Sequence, residues 1–211
     1  MQRFIEEILN DIDWRTSELA TLKTLPVIYN LNNYHKDIHI KYSIPAIYAI
    51  WEGFIKSSFT IYSNHINSFD IKRNEISLPL LTHQVDSECD FNNPRNNFAS
   101  KQKLVQLLDD ILTDVIIIKP SIPTESNVNF KVVNQILARF CISPVPERYK
   151  TGLDKLLRFR NMVAHGENSI LINMTHVQEF ISLVEDLMLE IVLAIENGDR
   201  NKSFKRNIEN I

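Results

Sequence analysis

The apolar residues between Ile44 and Tyr62 recur at the period of an α-helix, with Ile44, Ile47, Tyr48, Trp51, Phe54, Ile55 and Tyr62 on one side. A stripe of that bulk needs other elements to cover it, so the segment reads as the central core helix of the fold. Pro45 is tolerable in a first turn or as a kink in a longer helix. Two further segments carry the same period. Between Met1 and about Leu25, Phe4, Ile5, Ile8, Leu9, Ile12 and Leu19 trace one side before Pro26, leaving the acids and Arg15 to face water. Between His176 and about Glu196, Val177, Phe180, Ile181, Val184, Leu187, Met188, Ile191, Val192 and Ile195 do the same, behind a capping box of Thr175 and Gln178.

The remaining segments are shorter or less regular. Lys101 to Ile118 reads as a helix through Leu104, Val105, Leu107, Leu108, Ile111 and Leu112, although its β-branched end, Val115 to Ile118, suits an extended chain equally well. A helix from Phe130 to Phe140 turns Val133, Ile136, Leu137 and Phe140 inward. From Asn67 to Ala99 the pattern weakens: Pro79 interrupts it and Asn92 to Asn97 is rich in turn formers, which predicts an irregular insertion holding at most a short helix or strand. With no internal repeat and no linker, the expectation is a single all-α domain over 1–211. It would be an up-and-down helical bundle with its core at about 34–197 and a frayed polar tail at 198–211.

Composition narrows the function. The chain of 211 residues holds only 4 Gly, with neither a G-x-G-x-x-G nor a Walker-type phosphate loop, which disfavours dinucleotide and P-loop enzymes. A formal charge of -3 means that any polyanion site must be a local concentration of cations. Cys89 and Cys141 lack C-x-x-C partners, so neither a zinc site nor a disulfide framework is indicated. His35 and His39 have the i, i+4 spacing of helical metal ligands, but nothing completes a ligand set, and they read as surface residues. The acidic start, Glu6 and Glu7, is unlike a signal peptide, and no apolar run reaches a membrane span, so a soluble cytoplasmic protein is expected.

The chemistry concentrates in Leu153 to Gly166. As a helix, this stretch places Leu153, Leu156, Leu157, Val163 and Ala164 in one apolar stripe with Arg160 in its middle, where burying a permanent charge demands a partner. Arg158, Asn161 and His165 share a second, polar face. Arg160 could equally be a structural ion-pair member, and His165 an ordinary cation near a helix C-terminus. Arg148, Lys150, Lys155, Arg158 and Arg160 form a local basic patch against Glu147 and Asp154, with Lys155 and Arg158 its candidates for binding substrate phosphates. Glu52, flanking the Ile44 to Tyr62 stripe, is the candidate to face Arg160 or Arg158, the plainer alternative being a partly exposed acid.

The run Arg160-Asn161-x-x-x-His165-Gly166, ending a helix of an all-helical chain, resembles the R-x4-6-H signature of the HEPN superfamily, in which a polar residue often follows the Arg. Arg158 fits the looser spacing, but Asn161 follows Arg160, which assigns the motif Arg to Arg160. The Trp51-Glu52-Gly53-Phe54 block, and the Asn-rich lead from Thr124 into the helix at Phe130, are similar to the RiboL-PSP-HEPN-like subfamily. The resemblance extends over Ile44 to Ile195, its specific part being Arg160 to Gly166 and Trp51 to Lys56. It implies a metal-independent endoribonuclease without cofactor, in which His165 moves a proton to or from the reacting oxygens. Arg160 would stabilise phosphorane charge and Asn161 would orient the motif or the phosphate. On an ideal helix Arg160 and His165 stand about 140° apart, and the family answers this by pairing two copies around one cleft. A homodimer acting on RNA is therefore implied, together with a toxin or defence role and a neutralising partner protein. The alternative is a non-catalytic HEPN-like module that binds RNA, nucleotide or a partner protein. One toxin subtype is silenced through a Tyr two residues after the motif His; Glu167 stands there, so that regulation does not carry over.

Overall fold

A computed structural model of the chain describes residues 3–89, 97–109, 115–120, 122, 127–167 and 171–206. Seven α-helices run through them: α1 Arg3–Ile28, α2 Asn33–Asn67, α3 Leu78–Glu88, α4 Asn97–Asp109, α5 Phe130–Arg139, α6 Lys150–Ala164 and α7 Met174–Arg200. Single 3-10 turns sit at Arg73–Glu75 and Glu147–Tyr149, and no strand occurs among the described residues, so the fold is all-α. The expected turn at Asn92 to Asn96, the apolar positions Ile111 and Leu112, the lead at Thr124 to Ser126 and the end of the tail, 207–211, lie outside the described residues. Packing divides the chain into two compact units, to both of which α2, α5 and α7 contribute.

The first unit comprises residues 1–58, 124–134 and 145–193. Its core joins Phe4, Ile5, Ile8, Ile12 and Leu19 of α1 to the α2 stripe, where Ile44, Ile47, Trp51, Phe54 and Ile55 are buried as the period requires. Two polar tips on that stripe close over one residue ahead of α5. The Tyr48 hydroxyl accepts from the Val128 N–H at 2.6 Å, and the Trp51 indole donates to the Val128 carbonyl at 2.9 Å. Val128 is wholly buried, and this pair of bonds satisfies both of its backbone groups.

Three sequence expectations give way in this unit. Arg15 does not face water: it is 6% exposed, paired with Asp11 one turn earlier at 2.8 Å and donating to the Ile50 carbonyl at 3.0 Å. Gly53 makes that approach possible, because a Cβ there would stand 2.8 Å from the Arg15 guanidinium. Pro26 does not end α1. Its buried ring sits inside a last turn that continues to Ile28, and the chain reverses only at Asn30, whose φ of 45° is one that Asn tolerates. The Asn32 side chain then caps α2 at the His35 N–H. His39 is half-buried and donates from Nε2 to the Leu22 carbonyl at 2.8 Å, so it ties α2 to α1.

The second unit comprises residues 59–123, 135–144 and 194–211. Phe59 and Tyr62 of α2 pack on Phe140, with ring centroids 4.9 and 6.0 Å apart. The expected insertion contains α3, which Pro79 opens from the first turn, where its missing N–H costs nothing. The β-branched run is extended, as its alternation shows: Ile116 and Ile118 are buried while Val115 and Ile117 face out. The Asn67 amide exchanges two hydrogen bonds with the backbone of Ile118, at 2.8 and 3.0 Å.

The tail also departs from expectation. Instead of fraying at 198, α7 runs to Arg200, Asp199 is wholly buried beside His65 at 3.0 Å, and Phe204 is wholly buried. The Phe204 carbonyl accepts from the Ser77 N–H at 2.8 Å. Aromatic area of this size, once it has a cavity to fill, outweighs the polarity of the neighbouring residues.

Two expected outcomes follow from these contacts. Arg15→Ala leaves Asp11 without its ion-pair partner and opens a hole beside Gly53, so it should cost about 2–3 kcal/mol and lower Tm by roughly 5–10 °C in thermal denaturation. In the second unit, burial holds the His83 imidazole below its ordinary value of 6.5. The neutral ring donates from Nε2 to the Lys119 carbonyl and turns Nδ1 to Arg139. Its stabilising contribution is therefore complete above pH 6.5 and lost as pH falls toward the folded value. Chemical denaturation at pH 7 and pH 5 should show a smaller loss of stability in His83→Asn than in the wild type.

Candidate active site

Helix α6 follows the 3-10 turn at Glu147–Tyr149, anchored by the buried ring of Tyr149, whose hydroxyl donates to Glu190 of α7 at 3.0 Å. Arg148 pairs with the same carboxylate. Gly152 lets the two helices close up, since a Cβ at that position would lie 3.0 Å from Leu183. The buried residues of α6 are Leu153, Leu156, Phe159 and Val163. Leu157 is only half-buried and Ala164 is exposed, against the expected stripe. Phe159 accounts for the difference: its ring sits edge-on to Phe180 at 5.5 Å and 5.1 Å from His176, which rotates the buried side by about 60° toward α7. Arg160 consequently lies at the edge of the stripe rather than in its middle.

That edge position gives the Arg160 guanidinium its setting. It lies 4.6 Å above the ring of Tyr48, and its Nη1 donates to the side-chain oxygen of Asn161 at 2.8 Å. A cation held on an aromatic face is stabilised without being neutralised. Burial raises the Tyr48 phenol, with Glu52 adding to that rise and the Val128 N–H and Arg160 working against it. The phenol is thus neutral at physiological pH and serves as platform and acceptor. Glu52 makes its ion pair with Lys56, one turn on, at 2.6 Å, and shares the surroundings of Tyr48 with Arg160. Lys155 pairs with Glu179 of α7 at 2.9 Å and stands over Phe159 and Phe180, away from the polar face of its helix.

The polar face itself opens a depression of about 560 Å³ lined by Asp154, Leu157, Arg158, Asn161, Met162, His165 and Glu167. Arg158, Asn161 and His165 thus meet in one place, and Arg160 joins them through its bond to Asn161. Among the described residues, the lining comes from α6 and the turn after it. Asp154 and Glu167 were missed in the sequence reading, although Asp154 stands one turn before Arg158. Tyr48 was seen only as core, because its contact with α6 is remote in sequence.

The helix end that presents His165 is built by backbone geometry. Gly166 has φ +74°, its N–H bonds to the Val163 carbonyl at 3.1 Å, and the Glu167 N–H bonds to the Met162 carbonyl at 2.9 Å. This is the Schellman arrangement, which stops a helix within one residue and leaves its last side chain in solvent. α7 is capped by Asn173 and not by Thr175. The Asn173 side chain accepts from the His176 N–H at 3.1 Å, and the His176 ring accepts from the Asn173 N–H at 3.3 Å. This reciprocal pair works like the expected box but two residues earlier. Among the described residues no group of three or more His, Cys, Asp or Glu side chains gathers as a metal site, and no helix is long and apolar enough to cross a membrane.

An all-helical fold whose motif helix ends in Arg-Asn-x-x-x-His-Gly defines a HEPN-type module. The family model described as HEPN_MAE_28990-like HEPN matches residues 4–204, and the chain belongs to that family. The match takes in α1 and the turn after α7, beyond the span of the resemblance drawn from the sequence, and its description differs from the RiboL-PSP-HEPN-like label. No curated protein and no solved structure matches the chain.

Tyr48→Phe should keep the stacking surface under Arg160 while leaving the buried Val128 N–H without its acceptor, at a cost of about 1–2 kcal/mol in chemical denaturation. Gly166→Val should cost a similar roughly 1–2 kcal/mol, because a β-branched residue resists the left-handed conformation that ends α6.

Proposed function

We propose that the chain is a metal-independent endoribonuclease of HEPN type that acts in the cytoplasm as a homodimer. The observation that carries this reading is the convergence of Arg158, Asn161 and His165 in one open depression, with Arg160 tethered to Asn161 at its margin. An exposed imidazole at the end of a helix is suited to proton transfer near neutral pH, and guanidinium groups match phosphate oxygens. In the reaction the ribose 2′-oxygen attacks phosphorus as the bond to the 5′-oxygen breaks. One His165 takes the 2′-OH proton, and the second copy's His165 returns one to the leaving 5′-oxygen. Arg160 and Arg158 offset the charge that builds on the phosphorane, and Asn161 holds Arg160 in place. An open depression suits this scheme, because an opposing copy can close over it. Family membership supports a toxin or defence effector held in check by a partner protein.

A second reading has its own support. The stacking of Arg160 on Tyr48 is a structural use of the motif cation, which fits a non-catalytic module that binds RNA, nucleotide or a protein. Incubating purified protein with single-stranded and structured RNA in excess EDTA separates the two. Catalysis gives 2′,3′-cyclic phosphate ends, reduced at least ~100-fold in folded His165→Ala and Arg160→Ala variants. An inert wild type, or a His165→Ala variant that cuts equally well, would leave the binding module.

A further inference from the structure

The second unit carries a concentration of positive charge that the chemistry of α6 does not use. Backbone pairing draws two distant segments together. Ile76 bridges to Lys205, the Ser77 N–H bonds to the Phe204 carbonyl, and the Arg206 N–H bonds to the Glu75 carbonyl at 2.7 Å. The cations that share this seam are Lys72, Arg73, Lys202, Lys205 and Arg206, in a chain whose formal net charge is -3. The acids of the same segments are Asp70, Glu75 and Asp199. Of these Asp199 is wholly buried and taken up by His65 and Lys202, at 3.0 and 3.6 Å.

Two features set this seam apart from an ordinary solvated charge run. The Arg206 Nε is buried with no hydrogen-bond acceptor among the described residues, while the side chain as a whole is part-exposed. An aromatic ring lies beside the cations: Phe69 is 43% exposed, stacked on buried Phe204 at 5.7 Å, with the Lys202 ammonium 4.8 Å from its centroid. Cations spaced along a seam with a half-open aromatic ring are the parts from which sequence-tolerant grooves for single strands are made. The charges track phosphates and the ring takes an unstacked base.

We propose that the Lys72, Lys205 and Arg206 seam, with Phe69, binds the backbone of single-stranded RNA. The choice of RNA among polyanions rests on the ribonuclease reading; the charge and ring geometry stand without it. Binding is measured by fluorescence anisotropy with a labelled oligouridylate of about 30 nucleotides, in a His165→Ala background so that no cleavage intervenes.

The double variant Lys72→Gln, Lys205→Gln should weaken binding about 5–10-fold at low salt and reduce the log Kd against log salt slope by about 1.4, the value for two lost phosphate contacts on a single strand. Arg206→Gln should weaken it further. Lys101→Gln, Lys103→Gln, an equal change of charge on the exposed face of α4, should alter neither quantity. Equal effects of the two double variants, or no effect of either, would overturn the assignment. So would loss of binding to phosphatidylserine vesicles in the seam variant while RNA affinity is kept. If seam-dependent RNA binding is found but the wild type cuts no RNA, the ribonuclease reading fails and the seam stands; cleavage with no seam dependence gives the reverse.

Discussion

Much of the first unit depends on how two aromatic residues of α2 hold Val128. The Tyr48 hydroxyl and the Trp51 indole take up the N–H and the carbonyl of one wholly buried residue, so a non-helical stretch crosses an apolar core without an unpaired backbone group. Neither ring could be an aliphatic residue of equal size. The same clamp fixes the plane of Tyr48, and the guanidinium of Arg160 lies on that plane. A contact made for backbone satisfaction thereby decides where the motif cation sits.

From that anchor the site is assembled with little freedom. Phe159 turns α6 until Arg160 reaches the edge of the buried side, Asn161 receives one arm of the guanidinium, and the left-handed Gly166 ends the helix directly after His165. Arg158, Asn161 and His165 occupy successive turns of one face and leave the depression open on its other side.

The periodic parts of the fold were legible because burial of large apolar side chains dictates helix, and the stripes of α2, α5 and α7 proved buried almost residue for residue. The polar face of α6 was legible for the same reason, since spacing alone puts Arg158, Asn161 and His165 together. What escaped were contacts between residues far apart in the chain. Arg15 looks like a surface residue until Gly53, in another helix, makes room for it. The stripe of α6 was drawn toward Leu157 and Ala164 because its true centre is set by Phe180. Glu52, expected to face a motif Arg, makes an ion pair with Lys56 one turn on and shares the surroundings of Tyr48 with Arg160. Phe204 was lost among polar neighbours because one aromatic residue makes no period.

The burial of Phe204 and Asp199 bears on the order in which the protein is made. Their partners, Ser77, His65 and Phe69, leave the ribosome about 130 residues earlier, so the core of the second unit stays unfilled over that stretch of translation. Until the residues after α7 emerge, the apolar lining that Phe204 covers is open to water and to chaperones. The second unit is therefore completed only once α7 and the turn after it have emerged, whereas α1 and α2 can pair as soon as they appear.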